Sequence, residues 1–258
     1  MNAVVTAGSR PAKAEPLYKL AQGGYKAMIA INDRPMIQWV LDALNRSGSI
    51  DRIIVVGLPL YSDLACDKPL TLLEDQGGAV LNARAGLSEV RQWSPEDGYT
   101  LLMTGDIPAI NGEMIDWVTT QADAEKADFV YPVVARKEME KHYPGSGRTY
   151  FHLKDIDVCG GNLMIVRNQM ASDDNPLWQR ITDARKNPLR QAALFGYDTV
   201  FMVALRQLTL EEAGRSISKR LGIQAVPVLC PYPEIGMDIH KPAQIDLVQA
   251  KWARQAAG

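Results

Sequence analysis

The sequence predicts an α/β fold, a three-layer α/β/α sandwich around a mostly parallel sheet. Short runs of β-branched and aliphatic residues alternate along the chain with segments of helical periodicity. Uninterrupted apolar runs are typical of strands covered on both faces, and strand–helix alternation is typical of right-handed βαβ units. A length of 258 residues suits one domain that carries a sizeable insertion.

Six apolar runs are interpreted as strands. They lie at residues 3–7, 53–57, 99–103, 129–135, 162–166 and 225–229. The spacing of apolar residues predicts helices at 36–44, at 80–90, after Asn111, at 210–221 and after Pro242. Asn111 and Thr209 are suited to cap the starts of two of these helices, and Gly222 is suited to end one.

One region breaks the alternation of strands and helices. About fifty residues, from 168 to 220, have helical patterning and no strand-like run. We therefore predict a single domain, residues 1–258, with a helical insertion at about 168–220. This insertion could cover a substrate site or form a contact between two copies of the chain, so a homodimer is one expectation.

Composition and charge exclude several classes of protein. The net charge is -2, so the chain has no general basic field for nucleic acid. The odd, widely spaced Cys66, Cys159 and Cys230 predict neither a disulfide framework nor a zinc site. The sequence shows no signal peptide and no apolar stretch long enough to span a bilayer. We expect a cytoplasmic protein with no membrane partner.

The first predicted strand leads directly into a turn that contains a glycine and an arginine. Gly8 lets backbone N–H groups approach a phosphate, because no Cβ stands in the way. Arg10, and Lys26 further along the chain, supply positive charge for a triphosphate. The turn matches neither GxxxxGK[ST] nor GxGxxG. A phosphate site and an ordinary strand-to-glycine turn both remain open at this point.

The third predicted strand ends in an acid. Asp106 follows it directly, and Pro108 prevents simple continuation into a helix. Ligands of parallel sheets bind at the carboxyl ends of strands, and a carboxylate there suits Mg²⁺. The alternative is a turn aspartate that bonds its own backbone.

A second acid, Asp238, has a similar context. It lies after the last predicted strand and just before the helix that Pro242 opens. Two carboxylates at strand ends could converge on one metal ion above the sheet, so Asp106 and Asp238 are candidate metal ligands. The alternative for Asp238 is a carboxylate that interacts with the helix dipole.

Taken in order, these motifs resemble the MobA-like NTP transferases, a branch of the GT-A nucleotidyltransferases. The matching segments are VVTAGSR at 4–10, YKAMIAINDRPMI at 25–37, GDIP at 105–108, GGN at 160–162 and MDIHKP at 237–242. Together they cover most of the chain. The resemblance implies a GT-A fold of the nucleotide-diphospho-sugar transferase type, with NTP and Mg²⁺ as partners.

The resemblance also implies roles for individual residues. Those implied to bind the nucleotide are Ala7, Gly8, Ser9, Arg10, Gln76, Gly77, Gly78, Asn82 and Gly105. Those implied to act in catalysis are Arg10, Lys26 and Asp106, with Asp106 and Asp238 holding Mg²⁺. Gly160, Gly161 and Asn162 are implied to line the pocket of an acceptor. Lys186, in a basic segment of the insertion, could bind an acceptor phosphate or simply belong to a solvated charge cluster.

The chain departs from the family pattern in two places. Its first loop contains fewer glycines, and a segment with Lys13, Glu15 and Lys19 precedes Lys26. Near the end, His240 stands where an acidic or amide residue is usual. We expect a structural role for His240.

The resulting hypothesis is a Mg²⁺-dependent nucleotidyltransferase that moves NMP from an NTP onto a small phosphorylated acceptor and releases pyrophosphate. Neither the base nor the acceptor can be read from these residues. One alternative is a GT-A glycosyltransferase, although the Asp155-Ile156-Asp157 pair precedes a strand instead of following one. The other is a non-catalytic nucleotide sensor on the same fold.

Overall fold

The computed structural model describes residues 1–172, 175–184 and 196–257, and within them the α/β class predicted above is confirmed. The main sheet has the strand order β5-β4-β1-β6-β10-β7-β9-β8, with β11 paired to β7. Its strands are β1 (Asn2–Thr6), β4 (Arg52–Val56), β5 (Leu70–Leu73), β6 (Tyr99–Thr104), β7 (Phe129–Ala135), β8 (Phe151–His152), β9 (Asp157–Gly160), β10 (Leu163–Arg167) and β11 (Ala225–Leu229). A separate hairpin joins β2 (Ala30–Ile31) to β3 (Arg34–Pro35).

Most strands of the sheet point in the same direction, and two, β10 and β9, run antiparallel to their neighbours. Parallel pairing joins β5 to β4, β4 to β1, β1 to β6, and β7 to β11. Between these two groups, β10 runs antiparallel to both β6 and β7. All six predicted strands are present, and the prediction of a mostly parallel sheet is confirmed.

Strand β1 shows how the three layers form. Ala3, Val4 and Val5 are fully buried, so both faces of the strand are covered. Ala3 and Val5 belong to one apolar cluster, and Val4 belongs to another on the opposite face. Successive side chains of a strand point to opposite faces, so a continuous apolar run fills two cores at once.

Helices pack on both faces of the sheet. They are α1 (Tyr18–Ala21), α2 (Met36–Arg46), α3 (Ala79–Arg91), α4 (Gly112–Glu125), α5 (Arg136–His142), α6 (Pro176–Ala184), α7 (Tyr197–Ala204), α8 (Leu210–Leu221) and α9 (Pro242–Ala257). Apolar residues of α2, α4 and α9 share the cluster of Ala3, whereas those of α3 and α6 share the cluster of Val4. The two helical layers therefore enclose the sheet.

The predicted helix caps are present. The Asn111 side chain accepts a hydrogen bond from the Met114 N–H at 3.0 Å, which begins α4. Thr209 and Glu212 form a reciprocal capping box at the start of α8. Gly222 ends α8 in the left-handed region, with φ of +72°.

The region predicted as a helical insertion contains α6, α7, α8 and a short 3₁₀ helix, Asn168–Ala171, in its described part. That part contains no strand between β10 and β11. Lys186 and the rest of the basic segment 185–188 lie outside the described residues. The single-domain organisation with an insertion therefore stays a prediction.

The structure also bears on the cysteines and on the lengths of the helices. Cys66, Cys159 and Cys230 form no disulfide, and burial raises the pKa of Cys230 to about 12. Over residues 1–172, 175–184 and 196–257, every helix is too short or too polar to cross a membrane.

Candidate active site

Two distant segments meet at the carboxyl edge of the sheet. Asp106 follows β6, where the Gly105 N–H donates to the carbonyl of Thr6 at 2.9 Å. Asp238 follows a 3₁₀ helix, Pro233–Gly236, that comes after β11. The Ile239 N–H donates to the carbonyl of Asp106 at 3.1 Å, so a backbone hydrogen bond joins the two loops.

This junction brings Asp106, Asp238 and His240 together in what we call the acidic cluster. One potential ligand atom from each residue lies within 4.8 Å of the other two. Asp238 is nearly buried, and its Oδ2 lies 2.5 Å from His240 Nε2. The convergence expected of Asp106 and Asp238 is therefore present in the geometry. His240, for which we expected a structural role, has its ring in the same cluster.

Lys26 reaches the acidic cluster from the first loop. Its Nζ atom lies 2.5 Å from Asp106 Oδ2 and 3.2 Å from His240 Nδ1, and its side chain is 7% exposed. Lys26 begins a short 3₁₀ helix, and its backbone N–H donates to the carbonyl of Ser9 at 2.8 Å. One residue thus connects the predicted phosphate loop to the predicted metal ligands.

Arg148 supplies a second cation that the sequence analysis missed. Its guanidinium forms an ion pair with Asp238 Oδ1, and its Nη2 donates to the carbonyl of Gly160 at 3.3 Å. The side chain is 15% exposed. Arg148 lies in a loop between α5 and β8, away from any strand end, so no motif pointed to it.

Two cations balance the two carboxylates of the cluster. The carboxylates of Asp106 and Asp238 face the ammonium of Lys26 and the guanidinium of Arg148. Even so, Asp106 Oδ1 is buried and accepts no hydrogen bond from the described residues. Partial burial, and then the charge of Lys26, lowers the pKa of His240, which favours a neutral ring near pH 7. An unpaired oxygen beside a neutral imidazole is a donor set that suits a divalent cation.

The first loop approaches a neighbouring strand end very closely. Gly57, directly after β4, has φ of +110°, and a Cβ there would clash with the backbone of Gly8. The Ala7 N–H donates to the carbonyl of Val56 at 2.8 Å, which fixes the start of the loop. Arg10 extends outward, where its guanidinium lies 4.1 Å from the centre of the Tyr25 ring and bonds the Tyr25 hydroxyl.

The loop before α3 packs against the first loop. Asn82 is 1% exposed, accepts from the Gln76 N–H at 2.7 Å, and donates to Asp75 Oδ1 at 2.8 Å. A Cβ on Gly8 would lie 2.7 Å from both Asn82 Nδ2 and Asp75 Oδ1. Gly77 and Gly78 follow with φ of +86° and +144°, a geometry that favours glycine. Asp75 is a further residue that the sequence analysis missed.

The loop between β9 and β10 carries the residues predicted to bind an acceptor. The Gly161 N–H donates to the carbonyl of Pro132 at 2.9 Å, and the Asn162 side-chain amide donates to the carbonyl of Ile235 at 3.1 Å. The carbonyl of Asn162 accepts from the Thr104 N–H at 3.0 Å. Asn162 therefore has structural bonds of its own, and the loop is connected to the acidic cluster through Arg148 at Gly160.

Comparison with known families is decisive. The model of the MobA-like NTP transferase domain matches residues 3–226. The chain belongs to this family. The family resemblance predicted from sequence is confirmed, and with it the broad class of nucleotidyltransferase. Asp238 and His240 lie beyond the matched range.

Solved structures agree with membership of the MobA-like NTP transferase family. A structure described as a hypothetical transferase from Thermus thermophilus is 32% identical, with a TM-score of 0.81 over 95% of this chain and 100% of that one. A CMP:2-keto-3-deoxy-manno-octonic acid synthetase complexed with CTP is 13% identical, with a TM-score of 0.57 over 99% of this chain and 100% of that one. A 4-diphosphocytidyl-2C-methyl-D-erythritol synthase is 12% identical, with a TM-score of 0.56 over 97% of each chain. At such low identity the last two show the shared fold alone. A search of curated proteins gave no match.

Proposed function

We propose that this MobA-like NTP transferase moves a nucleoside monophosphate from an NTP to a small phosphorylated acceptor, releases pyrophosphate and requires Mg²⁺. The observation that carries the proposal is the acidic cluster at the carboxyl edge of the sheet, joined through Lys26 to the first loop. Ligands of parallel α/β sheets bind at this edge.

The acidic cluster fits a divalent ion chemically. Asp106 and Asp238 offer carboxylate oxygens, the ligands that Mg²⁺ prefers, and Asp106 Oδ1 has no competing hydrogen bond among the described residues. When bound, Mg²⁺ supplies charge neutralisation at the triphosphate and at the departing pyrophosphate.

The first loop and its neighbours provide the remaining contacts with the nucleotide. Backbone N–H groups of Gly8 and Ser9 approach the phosphates, and the side chains of Lys26 and Arg10 neutralise their charge. Arg10 reaches away from the sheet, so we assign it to the distal phosphates. The loop from Gln76 to Gly78 lies beside Gly8 through Asn82 and holds the base.

The chemical step is an in-line displacement at the α-phosphorus. An oxygen of the acceptor phosphate forms a new bond to the α-phosphorus, and the bond from that phosphorus to the bridging oxygen breaks. Pyrophosphate leaves with the electron pair. Because a phosphate acceptor is already anionic at neutral pH, the step needs no strong general base, and catalysis depends on position and electrostatics.

We place the acceptor beside the loop of Gly160, Gly161 and Asn162. Arg148 lies between this loop and Asp238, where it can meet an anionic acceptor. We retain Lys186 as a further candidate for the acceptor phosphate. The position of Arg148 supports a phosphorylated acceptor over a neutral one.

A glycosyltransferase is less well supported by the structure. Asp155 Oδ1 accepts from the Leu210 N–H at 3.1 Å at the start of α8, and Asp157 Oδ1 lies 2.9 Å from His152 Nδ1. Both acids of the Asp-x-Asp pair are thus engaged in structural contacts. Neither belongs to the acidic cluster.

The direct test is a pyrophosphate-release assay with each of the four NTPs and a panel of phosphorylated acceptors. Mass spectrometry of the product should show the acceptor plus one NMP. Asp106→Asn should abolish most of the release, while Asp97→Asn, which changes an exposed acid outside the site, should not. NTP binding without pyrophosphate release across the whole panel would favour a sensor. Cleavage of a nucleotide sugar without pyrophosphate release would favour a glycosyltransferase.

A further inference from the structure

We infer that His240 is a direct ligand of the metal ion, through Nδ1, and that it biases the site towards first-row transition ions relative to Mg²⁺. This inference rests on the proposed function, because it concerns the ion bound by the acidic cluster. It adds a nitrogen ligand beside the oxygen of Asp106, gives the site a metal preference, and makes Asp238 the carboxylate that orients the ring from the outer shell.

The first observation is that the His240 ring already accepts a hydrogen bond from a positively charged group. The ammonium of Lys26 lies 3.2 Å from His240 Nδ1 and 2.5 Å from Asp106 Oδ2. An ammonium has only donors, so Nδ1 accepts and presents its lone pair towards this position. Asp106 and His240 therefore contact the same positive charge from two sides.

The second observation is the partner of the other ring nitrogen. His240 Nε2 lies 2.5 Å from Asp238 Oδ2, and Asp238 is 8% exposed and held by Arg148. Histidines that bind metals commonly donate their second N–H to a carboxylate, which fixes the tautomer and orients the ring. His240 has this arrangement, with Asp238 at Nε2 and the ammonium of Lys26 at Nδ1, where the metal ion would bind.

The third observation is that the backbone of His240 is anchored. Gln244, 4% exposed, accepts from the His240 N–H at 2.6 Å and from the Lys241 N–H at 2.8 Å. Its Nε2 donates to the carbonyl of Ser146 at 3.0 Å. The ring, 60% exposed, therefore projects from a fixed backbone towards a site that ligands can reach.

The metal preference follows from ligand chemistry. Mg²⁺ is a hard ion that takes oxygen ligands, whereas first-row transition ions accept imidazole nitrogen more readily, and Mn²⁺, although first in that series, does so more readily than Mg²⁺. Replacing His240 with asparagine exchanges the nitrogen ligand for an amide oxygen. The ratio of Mn²⁺ to Mg²⁺ affinity should then fall by about ten-fold or more, since loss of even an outer-shell partner costs about that much.

The experiment is pulsed EPR of the full chain loaded with Mn²⁺ alone, with Mg²⁺ competition to measure the affinity ratio. We expect ¹⁴N coupling from a directly bound imidazole in the unmodified protein. The coupling should be absent in His240→Asn and retained in His152→Asn, a matched change in another carboxylate-paired histidine. The chain has three histidines, so the signal can be assigned. Because the His240 ring is largely exposed, its replacement should leave the fold intact, and thermal unfolding checks this.

The outcomes separate this inference from the proposed function. If Mn²⁺ binding is lost in Asp106→Asn but the unmodified protein shows no ¹⁴N coupling, His240 is not a ligand and the carboxylate site stands. An unchanged affinity ratio in His240→Asn overturns the metal preference. If Mn²⁺ fails to bind, or if it binds equally well in Asp106→Asn, both the inference and the proposed metal site are wrong.

Discussion

Asp106 and Asp116 are close in sequence, yet their surroundings differ. Asp116, on α4, accepts from the hydroxyls of Ser47 and Ser49 and from the backbone N–H groups of Gly48 and Ser49. Asp106 faces the ammonium of Lys26 with one oxygen, while its buried second oxygen accepts no hydrogen bond from the described part of the chain. A carboxylate satisfied by neutral donors holds a structure together. One that faces a cation and keeps an unpaired oxygen is suited to bind a ligand.

The strongest test of this comparison is Asp106→Asn. We expect kcat to fall by about 100-fold or more, because a residue that stabilises charge in the transition state is lost. The substitution keeps the shape of the side chain but removes the counter-ion of the nearly buried Lys26 ammonium, so the free energy of unfolding should also fall, and kcat is compared per folded molecule. Steady-state pyrophosphate release and urea unfolding measure the two effects. Near-normal turnover by a folded variant would remove Asp106 from the catalytic machinery.

Asp116→Ala should lower stability without affecting turnover. The loss of its hydrogen bonds should lower the free energy of unfolding by about 2 kcal/mol, with kcat per folded molecule unchanged. Burial alone would raise the pKa of Asp116, but the hydrogen bonds from Ser47, Ser49 and Gly48 outweigh burial and lower it.

A lowered pKa also gives this contribution a pH dependence. The contribution of Asp116 is present above the pKa of the unfolded chain, about 4, and is lost as the pH falls through the lower pKa of the folded state. The difference in stability between the unmodified protein and Asp116→Ala should therefore shrink on acidification. Urea unfolding at a series of pH values checks it, and a difference that grows below pH 4 would contradict the assignment.

The substitution Lys26→Met tests the role of the ammonium group beside Asp106. Removing the ammonium should raise the affinity for Mn²⁺ in the absence of nucleotide by about ten-fold, because the two cations no longer compete for the same oxygens. Turnover should fall, because Lys26 is proposed to neutralise the triphosphate. Lys26→Arg keeps the charge and serves as the control in calorimetric titrations with Mn²⁺. Weaker Mn²⁺ binding in Lys26→Met would mean that Lys26 organises the site and does not compete with the ion.

Asn111→Ala should give the smallest change of the four substitutions. It tests whether α4, the helix that carries Asp116, contributes to stability alone. It removes the cap of α4 and should lower the free energy of unfolding by about 1 kcal/mol. Activity should be retained, since Asn111 is outside the acidic cluster. Thermal unfolding with a parallel activity assay is sufficient. A large loss of activity in a fully folded variant would show that α4 influences the active site.

The central strands could be predicted because each is buried on both faces. Other strands could not. Leu70–Leu73 is only half-buried, and Phe151–His152 has two residues, so neither gives a long apolar run. The direction of β10 was also beyond prediction, since a continuous apolar run looks the same in either orientation.

The candidate site was predictable to a similar extent. Asp106 and Asp238 stood out because each follows a strand, and the structure brings them together. Arg148 and Asp75 were missed, because they reach the site from loops whose position depends on tertiary packing. His240 was assigned a structural role because it stands where the family usually has an acidic or amide residue, and only the folded chain shows where the ring lies.

The hydrogen bond from Ile239 to the carbonyl of Asp106 has a consequence for biosynthesis. During translation, the segment matched by the family model emerges from the ribosome before Asp238 and His240 do. A chain that ends before Asp238 contains Asp106 but lacks Asp238 and His240, which complete the cluster. If the cluster binds the ion as proposed, the site is complete only once this last loop has docked, and a product terminated before Asp238 should not bind the ion.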